Sequence, residues 1–345
     1  MSIILSVIVP CYNCERFLDE ALGSLICEQV QDRLEVIAVD DGSPDNCADI
    51  VNRYCDKYPG VFRLISQENK GHGGALNTGL AAAAGKYLKV IDADDSVITE
   101  NLPAFIAELE KTDADVVLTH HITRNVLTGE IKKWKSYPEK FGVKYTFDEI
   151  MNSWKSFDRS LTFHGITYRR DFYQAHCIQL SEHVFYEDHE YATVPCCYAD
   201  SILPLDLFIY SYRIGDVQQS VSDENQLKRL SHTEAVLDRL IAEYALLSPV
   251  ADGAGKRYYA MKAQGLLLSY IITALLVEKD RKKGRRTAAA MMEKFRSGLP
   301  DTYAMAEKQY KVFRMMNRLH FSKRTWERIS GSRLYNRLRK NHSFE

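Results

Sequence analysis

Over residues 3–91 the chain alternates short apolar runs with amphipathic stretches, and each run ends in a polar turn. Ile3-Ile4-Leu5-Ser6-Val7-Ile8-Val9-Pro10 reads as a buried strand stopped by proline and the turn Cys11-Tyr12-Asn13. A helix is expected from about Glu15 to Glu28. Leu34–Val39 reads as a second strand, ending in Asp40-Asp41-Gly42-Ser43-Pro44-Asp45 ahead of a helix over Cys47–Tyr58. A third strand, Phe62–Ile65, runs into Asn69-Lys70-Gly71-His72-Gly73-Gly74, after which Ala75–Ala84 has helical character. The fourth, Tyr87–Ile91, delivers Asp92-Ala93-Asp94-Asp95. Strands alternating with helices in this way form right-handed βαβ units and an α/β, Rossmann-like, mainly parallel sheet flanked by helices. Ligands of such sheets bind beyond the carboxyl ends of the strands, where all four polar turns converge.

The chemistry of those turns narrows the ligand. Hard divalent cations such as Mn²⁺ or Mg²⁺ take one or two carboxylates and fill their remaining positions with water and substrate phosphates. Asp92, Asp94 and Asp95 repel one another unless a cation lies between them. A solvated acidic turn is the plainer reading of one such tetrapeptide, and Asp40-Asp41 is equally readable as a turn cap. Two acidic turns at neighbouring strand ends favour a binding site. Gly71, Gly73 and Gly74 either form a flexible bend or let backbone N–H groups approach phosphate, and Lys70 adds a charge for the second reading. The glycines follow the third strand and lack the GxGxxG order of a dinucleotide site in the first βαβ unit. Adjacent His120 and His121 on an apolar strand point to opposite faces, so neither is read as a metal ligand.

The segments SVIVPCYN, VIAVDDGSPD, NKGHGGALNTGL, AAGKYLKVIDADD and YEDHEY, in this order across about residues 3–215, resemble the inverting family 2 glycosyltransferases, with the GT-A fold and of bacterial cell-surface polysaccharide type. The resemblance implies that Pro10, Tyr12 and Asp41 border the nucleoside, with Asp41 reaching the base, most often uracil. It implies that Lys70, Gly71, Gly73 and Asn77 lie along the donor diphosphate, that Asp92 and Asp94 hold the donor, and that Asp94 and Asp95 hold the metal. His189 is a weaker candidate for a third metal position. Leu76 stands where an arginine often occurs in the family. Asp188 would be the base that takes the acceptor proton during inversion, with Glu187 an orienting contact. A role for both acids at a helix start in favouring the macrodipole is the bland alternative. His164 and Gly165 would line the acceptor pocket, and Arg213 would meet the diphosphate. Gln218–Ser222 resembles a closing segment over the donor. The QxxRW motif of processive synthases is missing from the sequence, which favours transfer of one sugar per encounter.

Charge divides the chain near residue 220. Residues 1–215 carry 20 basic and 32 acidic side chains, a balance of −12, whereas 216–345 carry 25 and 14, a balance of +11. The first part, 1–220, is read as the nucleotide-sugar-binding and catalytic domain, and 221–345 as a basic, mostly helical region. Leu227–Leu247 and Lys256–Glu278 have apolar spacing suited to packing on a neighbour. The apolar run Leu266–Val277 is short of the roughly 20 residues a bilayer span needs, so a buried helix is expected. Basic residues from Lys308 to Lys340 interleave with apolar ones, a pattern suited to an anionic membrane surface or to a second subunit in a homodimer. No recognition motif points to nucleic acid. Eight cysteines in a long chain without an evident signal peptide suggest a reducing cytoplasm, with peripheral contact at the inner membrane face. Cys11-x-x-Cys14 has no second CxxC to make a zinc site. The sequence-based expectation is a metal-assisted, non-processive transferase using a UDP-linked sugar and a glycan or lipid-linked acceptor. A non-catalytic nucleotide-sugar-binding scaffold is the alternative.

Overall fold

The computed structural model describes residues 2–215, 223–247 and 253–330. The expected alternation is present with small shifts: β1 (Leu5–Cys11), α1 (Glu15–Ser24), β2 (Leu34–Asp40), α2 (Cys47–Lys57), β3 (Phe62–Ser66), α3 (Gly71–Ala82) and β4 (Tyr87–Val90). There follow β5 (Ser96–Val97), α4 (Leu102–Lys111), β6 (Val116–Asn125), β7 (Ile131–Trp134), α5 (Phe147–Asn152), β8 (Ile166–Arg169), α6 (Arg170–His176), α7 (Asp188–Thr193) and β9 (Ile202–Ile214).

The sheet order is β3-β2-β1-β4-β8-β6-β9-β5, with β7 added on β6. The four strands legible as βαβ units are parallel to one another. Beyond β4 the sheet is mixed: β8 runs antiparallel to β4 and β6, β9 runs parallel to β6, and β5 and β7 are antiparallel to their neighbours. β1 is buried along its whole length and packs with Leu18, Leu22, Val36, Ala38 and Tyr87, as a central parallel strand covered on both faces must. Contact clustering assigns Met1–Val217 and Val250–Tyr259 to one compact unit. The expected boundary at 220 lies close to its first break, and the segment 250–259 returns to this unit, where Tyr258 Oη donates to Ala192 O at 2.7 Å.

The second unit, residues 218–249 and 260–345, is helical among its described residues. It contains α8 (Asp223–Lys228), α9 (Leu230–Leu247), the later turns of α10 (Gly253–Ile272), α11 (Arg281–Gly298), α12 (Pro300–Arg318) and α13 (Lys323–Ser330). Leu237, Leu240, Leu267, Ile271, Met292, Phe295 and Phe313 form its buried interior. The expected buried helix is there, since Leu266, Leu267, Ile271, Leu275 and Leu276 are all buried. It belongs, however, to a longer continuous helix, Gly253–Val277, whose 25 residues are long and apolar enough to cross a membrane by length and composition; 56% of its most apolar stretch is buried in protein. Met315, Leu319, Phe321 and Ile329 are exposed on α12, α13 and the turn between them, beside the basic residues the sequence singled out. The expected closing segment Gln218–Ser222 and the tail positions Leu334, Tyr335 and Leu338 lie outside the described residues.

Candidate active site

The turn after β4 gathers three carboxylates. Ligand oxygens of Asp92, Asp94 and Asp95 lie within 4.8 Å of one another, and among the described residues these three form the one such cluster of acid, histidine or cysteine ligands. The three are not equivalent. Asp95 is 2% exposed and accepts from Tyr210 Oη at 2.5 Å and from Arg213 N at 2.7 Å, so it ties the end of β9 to the turn. Burial, then the charges of Asp92 and Asp94, hold its carboxyl well above the usual range. Asp94 is half-buried; burial followed by Asp92 lifts its pKa to about 6. Mutual repulsion in a donor set made only of oxygen fits a hard divalent cation. His189, one residue beyond Asp188 on α7, is not among the residues of this cluster.

Asp41, at the end of β2, is 2% exposed. Its Oδ1 accepts from Lys70 N at 2.9 Å and Gln67 Nε2 at 2.7 Å, while Oδ2 is buried with no hydrogen-bond partner among the described residues. A buried acceptor without a donor costs free energy, which a ligand N–H would recover. Tyr12 lies in the adjoining turn, 54% exposed, and Pro10 is buried within β1, one residue before its end at Cys11.

The glycine segment departs from its expected form. The helix starts at Gly71 rather than Ala75, making these residues the first turn of α3. Gly71 has φ +77°, and Lys70, which caps the helix, is exposed. The glycines serve a close approach that pattern alone does not reveal. A Cβ on Gly73 would overlap Ser181 O and lie 2.9 Å from Glu187 Cγ. Glu190 anchors the same segment by accepting from Ser181 N at 2.8 Å and Ser181 Oγ at 2.7 Å. Asn77, expected beside the diphosphate, uses both ends of its amide on Leu180, with Nδ2 donating to O and Oδ1 accepting from N, each at 2.9 Å. Its position toward this loop, rather than toward the acidic turn, follows from that two-bond clamp. Gly73→Ala is expected to cost about 1–3 kcal/mol through overpacking against the loop. Equilibrium chemical denaturation measures the loss, and a stability equal to the parent's would contradict this close-packing account.

Glu187 and Asp188 arrive at the start of α7 with different partners. Glu187 is 2% exposed, and its Oε1 lies 2.5 Å from His72 Nδ1. His72 Nε2 in turn lies 3.0 Å from Asp92 Oδ1. Burial opposes charge on this imidazole, but Glu187 and Asp92 overcome it and hold its pKa well above the ordinary histidine value. His72 was not singled out in the sequence; its place three residues into a glycine-rich turn hid a bridge between residues 92 and 187. Asp188, half-buried, makes no hydrogen bond through its carboxylate among the described residues. Its charge reaches His164, where it opposes part of the effect of burial, and Tyr212, whose pKa burial and then Asp95, Asp92, Asp94 and Asp188 together raise.

His164, expected at the acceptor pocket, sits among aromatic rings. Its ring stacks on Tyr212 at 4.6 Å and meets Tyr210 edge-on at 4.8 Å. Burial, only partly offset by Asp92 and Asp188, keeps its pKa below the usual value. Lys89 holds the loop from beneath, donating to His164 O at 2.9 Å, and burial lowers this lysine's pKa to about 7. Gly165 is buried, and a Cβ there would overlap Ser160 O. Arg213, expected at the diphosphate, pairs with Glu20 at 3.6 Å and lies 4.8 Å over Phe17, although its charge still reaches Asp94.

Residues 6–177 match the family model described as glycosyl transferase family 2. The chain is 31% identical over 153 residues to glycosyltransferase GlyG of Streptococcus pneumoniae, covering 44% of this chain and 50% of that protein. It is 36% identical over 129 residues to the minor teichoic acid biosynthesis protein GgaB of Bacillus subtilis, covering 36% of this chain and 14% of the relative. The matched part thus spans half or less of these curated relatives. Among solved structures, S. aureus TarS 1–349 in complex with UDP-GlcNAc superposes with a TM-score of 0.59 at 21% identity, covering 92% of this chain and 93% of that one. At this identity the likeness speaks for the fold, a GT-A-like α/β architecture with a helical C-terminal region.

Proposed function

We propose, from the premise that this chain belongs to glycosyltransferase family 2 of the cell-surface polysaccharide type, that it transfers one sugar from a UDP-linked donor to a glycan or lipid-linked acceptor with inversion. The observation that carries this reading is the occurrence of Asp41, whose buried Oδ2 waits for an N–H donor, and of the acidic cluster at the ends of β2 and β4, the two strands that flank β1. A carboxylate acceptor suits the imide N–H of uracil, and the exposed ring of Tyr12 beside it suits stacking. The binding of UDP-GlcNAc by TarS supports the same donor class.

Asp188 is the base in this reading. Its free carboxylate takes the proton of the acceptor hydroxyl as that oxygen attacks the anomeric carbon from the face opposite the leaving diphosphate. Glu187 holds protonated His72 against Asp92, which fixes both carboxylates and places a positive charge beside the donor turn. Asp94 with Asp92 would hold Mn²⁺ or Mg²⁺, which when bound offsets charge on the departing diphosphate. Asp95 positions the turn and the end of β9. His164 and Tyr212 shape the acceptor side. The eight cysteines are free thiols, and Cys14 Sγ lies 3.3 Å from Cys47 Sγ without a bridge, in keeping with a cytoplasmic enzyme. The basic, apolar surface of α12 and α13 fits a peripheral place on an anionic membrane face.

Nucleoside diphosphate release across a panel of nucleotide sugars tests the proposal. Release from a UDP-sugar that requires Mn²⁺ or Mg²⁺ and stops with chelator is expected. Donor-induced thermal stabilisation without release would instead favour a non-catalytic nucleotide-sugar-binding scaffold, and neither release nor stabilisation across the panel would contradict both readings.

A further inference from the structure

One face of the sheet continues past the proposed reaction centre. In the register of β6 with β9, His121 pairs with Tyr210 and Thr123 with Tyr212; in the register of β6 with β7, His121 pairs with Trp134 and Thr123 with Lys132. Directly paired residues of neighbouring strands project to the same face, so Tyr210, Tyr212, His121, Trp134 and Lys132 share one surface. Ring contacts link them: His164 lies 4.8 Å from Tyr210 and 5.1 Å from His121, and His121 stacks parallel to Trp134 at 6.0 Å. The row begins at Tyr210, bonded to Asp95, and ends on β7, an edge strand.

Two cations meet at that end. Lys132 Nζ lies 4.3 Å from the Trp134 ring centroid and Arg159 Cζ 4.8 Å from it. Trp134 is itself fixed by Nε1 donating to Thr123 Oγ1 at 3.3 Å. Arg159 has a single loose ion pair, to Asp158 at 3.8 Å, and among the described residues Lys132 has none. Residues 131–159 carry seven basic and four acidic side chains within a region whose balance is −12, so the positive charge is local to this edge. Buried His121 also leaves Nδ1 without a hydrogen-bond partner among the described residues, midway along the row.

We propose that this edge is an acceptor subsite for an anionic glycan, in which Arg159 and Lys132, held over Trp134, bind a phosphate or carboxylate of the acceptor, while the aromatic row of which buried His121 is part supports the surface leading to Asp188. The inference rests on the assignment of the Asp188 side as the acceptor side. Guanidinium binds either oxyanion through paired N–H donors, and lysine adds a point charge.

The test measures binding of matched small probes by saturation-transfer NMR and calorimetry at low salt: methyl β-D-glucuronide, glucose 6-phosphate and methyl β-D-glucoside. The charged probes are expected to bind about tenfold more tightly than the neutral one, with a preference that falls as salt rises. The preference should vanish in the Arg159→Gln/Lys132→Gln pair and persist in Lys133→Gln, whose side chain lies on the opposite face over Phe208. Stronger binding of the phosphate identifies a phosphate-bearing acceptor, and stronger binding of the glucuronide a uronic-acid one. Equal binding of charged and neutral probes overturns the proposal, as does a preference that survives the double substitution or is lost equally in Lys133→Gln. If the double variant lacks a cooperative melt, the two single substitutions, both at solvent-exposed or half-exposed positions, are read instead. UDP binding, measured in the same titrations, reports separately on the donor assignment, so its failure would be distinguishable from failure of the subsite.

Discussion

Asp188→Asn is expected to lower the turnover number by about 10²–10⁴-fold while leaving the thermal stabilisation by UDP and cation in place. The expectation follows from the division of labour between two adjacent acids. Glu187 is buried against His72 and has committed its charge. Asp188 has no such partner among the described residues, and its charge reaches His164 and Tyr212, on the side proposed for the acceptor. Amide replacement preserves shape and removes the proton acceptor, so it should act on the chemical step and not on donor affinity. Glu187→Gln should behave differently: it removes a charge that keeps His72 protonated, so the positive charge beside the donor turn weakens, and donor binding falls together with turnover. Steady-state kinetics with a fixed donor, alongside UDP-induced shifts in Tm, separate the two. Unchanged turnover in Asp188→Asn would remove it as the base.

The contrast between these neighbours also marks what a one-dimensional reading reaches. Strands β1 to β4 were legible because each is a short apolar run closed by a turn, and a buried parallel strand carries its signal within itself. The acidic turn was legible for the same reason, since all three carboxylates lie within four consecutive residues. What stayed hidden depends on contacts between distant segments. His72 acquires its role from Asp92 and Glu187, 20 and 115 residues away. Asn77 and Gly73 carry family-like letters, yet their surroundings are set by the loop at residues 180–187. The mixed half of the sheet was equally opaque, because β6 continues through His120 and His121 to Asn125, well past the apolar part that announces it.

The acidic cluster yields a second large effect, in which Asp94 and Asp95 part company. Asp94 is expected to be the residue that answers to metal and Asp95 the one that answers to folding. In the cation-free protein the pKa of Asp94 stands at about 6 against an ordinary 3.8. The unfolded chain therefore loses this proton first, and between about pH 4 and 6 its contribution to stability falls as pH rises. A bound divalent cation reverses that penalty and competes with the same proton, so stabilisation by Mn²⁺ should be small near pH 5 and grow toward about pH 7.5. Asp94→Asn should abolish the Mn²⁺ response and metal-dependent turnover while melting no lower than the parent without cation, because it also removes repulsion with Asp92. Asp95→Asn meets a different fate. An amide nitrogen cannot accept from Tyr210 Oη or Arg213 N, so if Oδ1 stays on Arg213 N the tyrosine hydroxyl accepts from Nδ2 instead and its buried hydrogen loses its acceptor, at a cost of about 1–3 kcal/mol even in the absence of metal. Tm measured against pH and Mn²⁺ for both variants decides the matter. A variant set in which Asp95→Asn keeps the parent's Tm but loses the Mn²⁺ response, with Asp94→Asn retaining it, would exchange the two roles and make Asp95 the principal metal ligand.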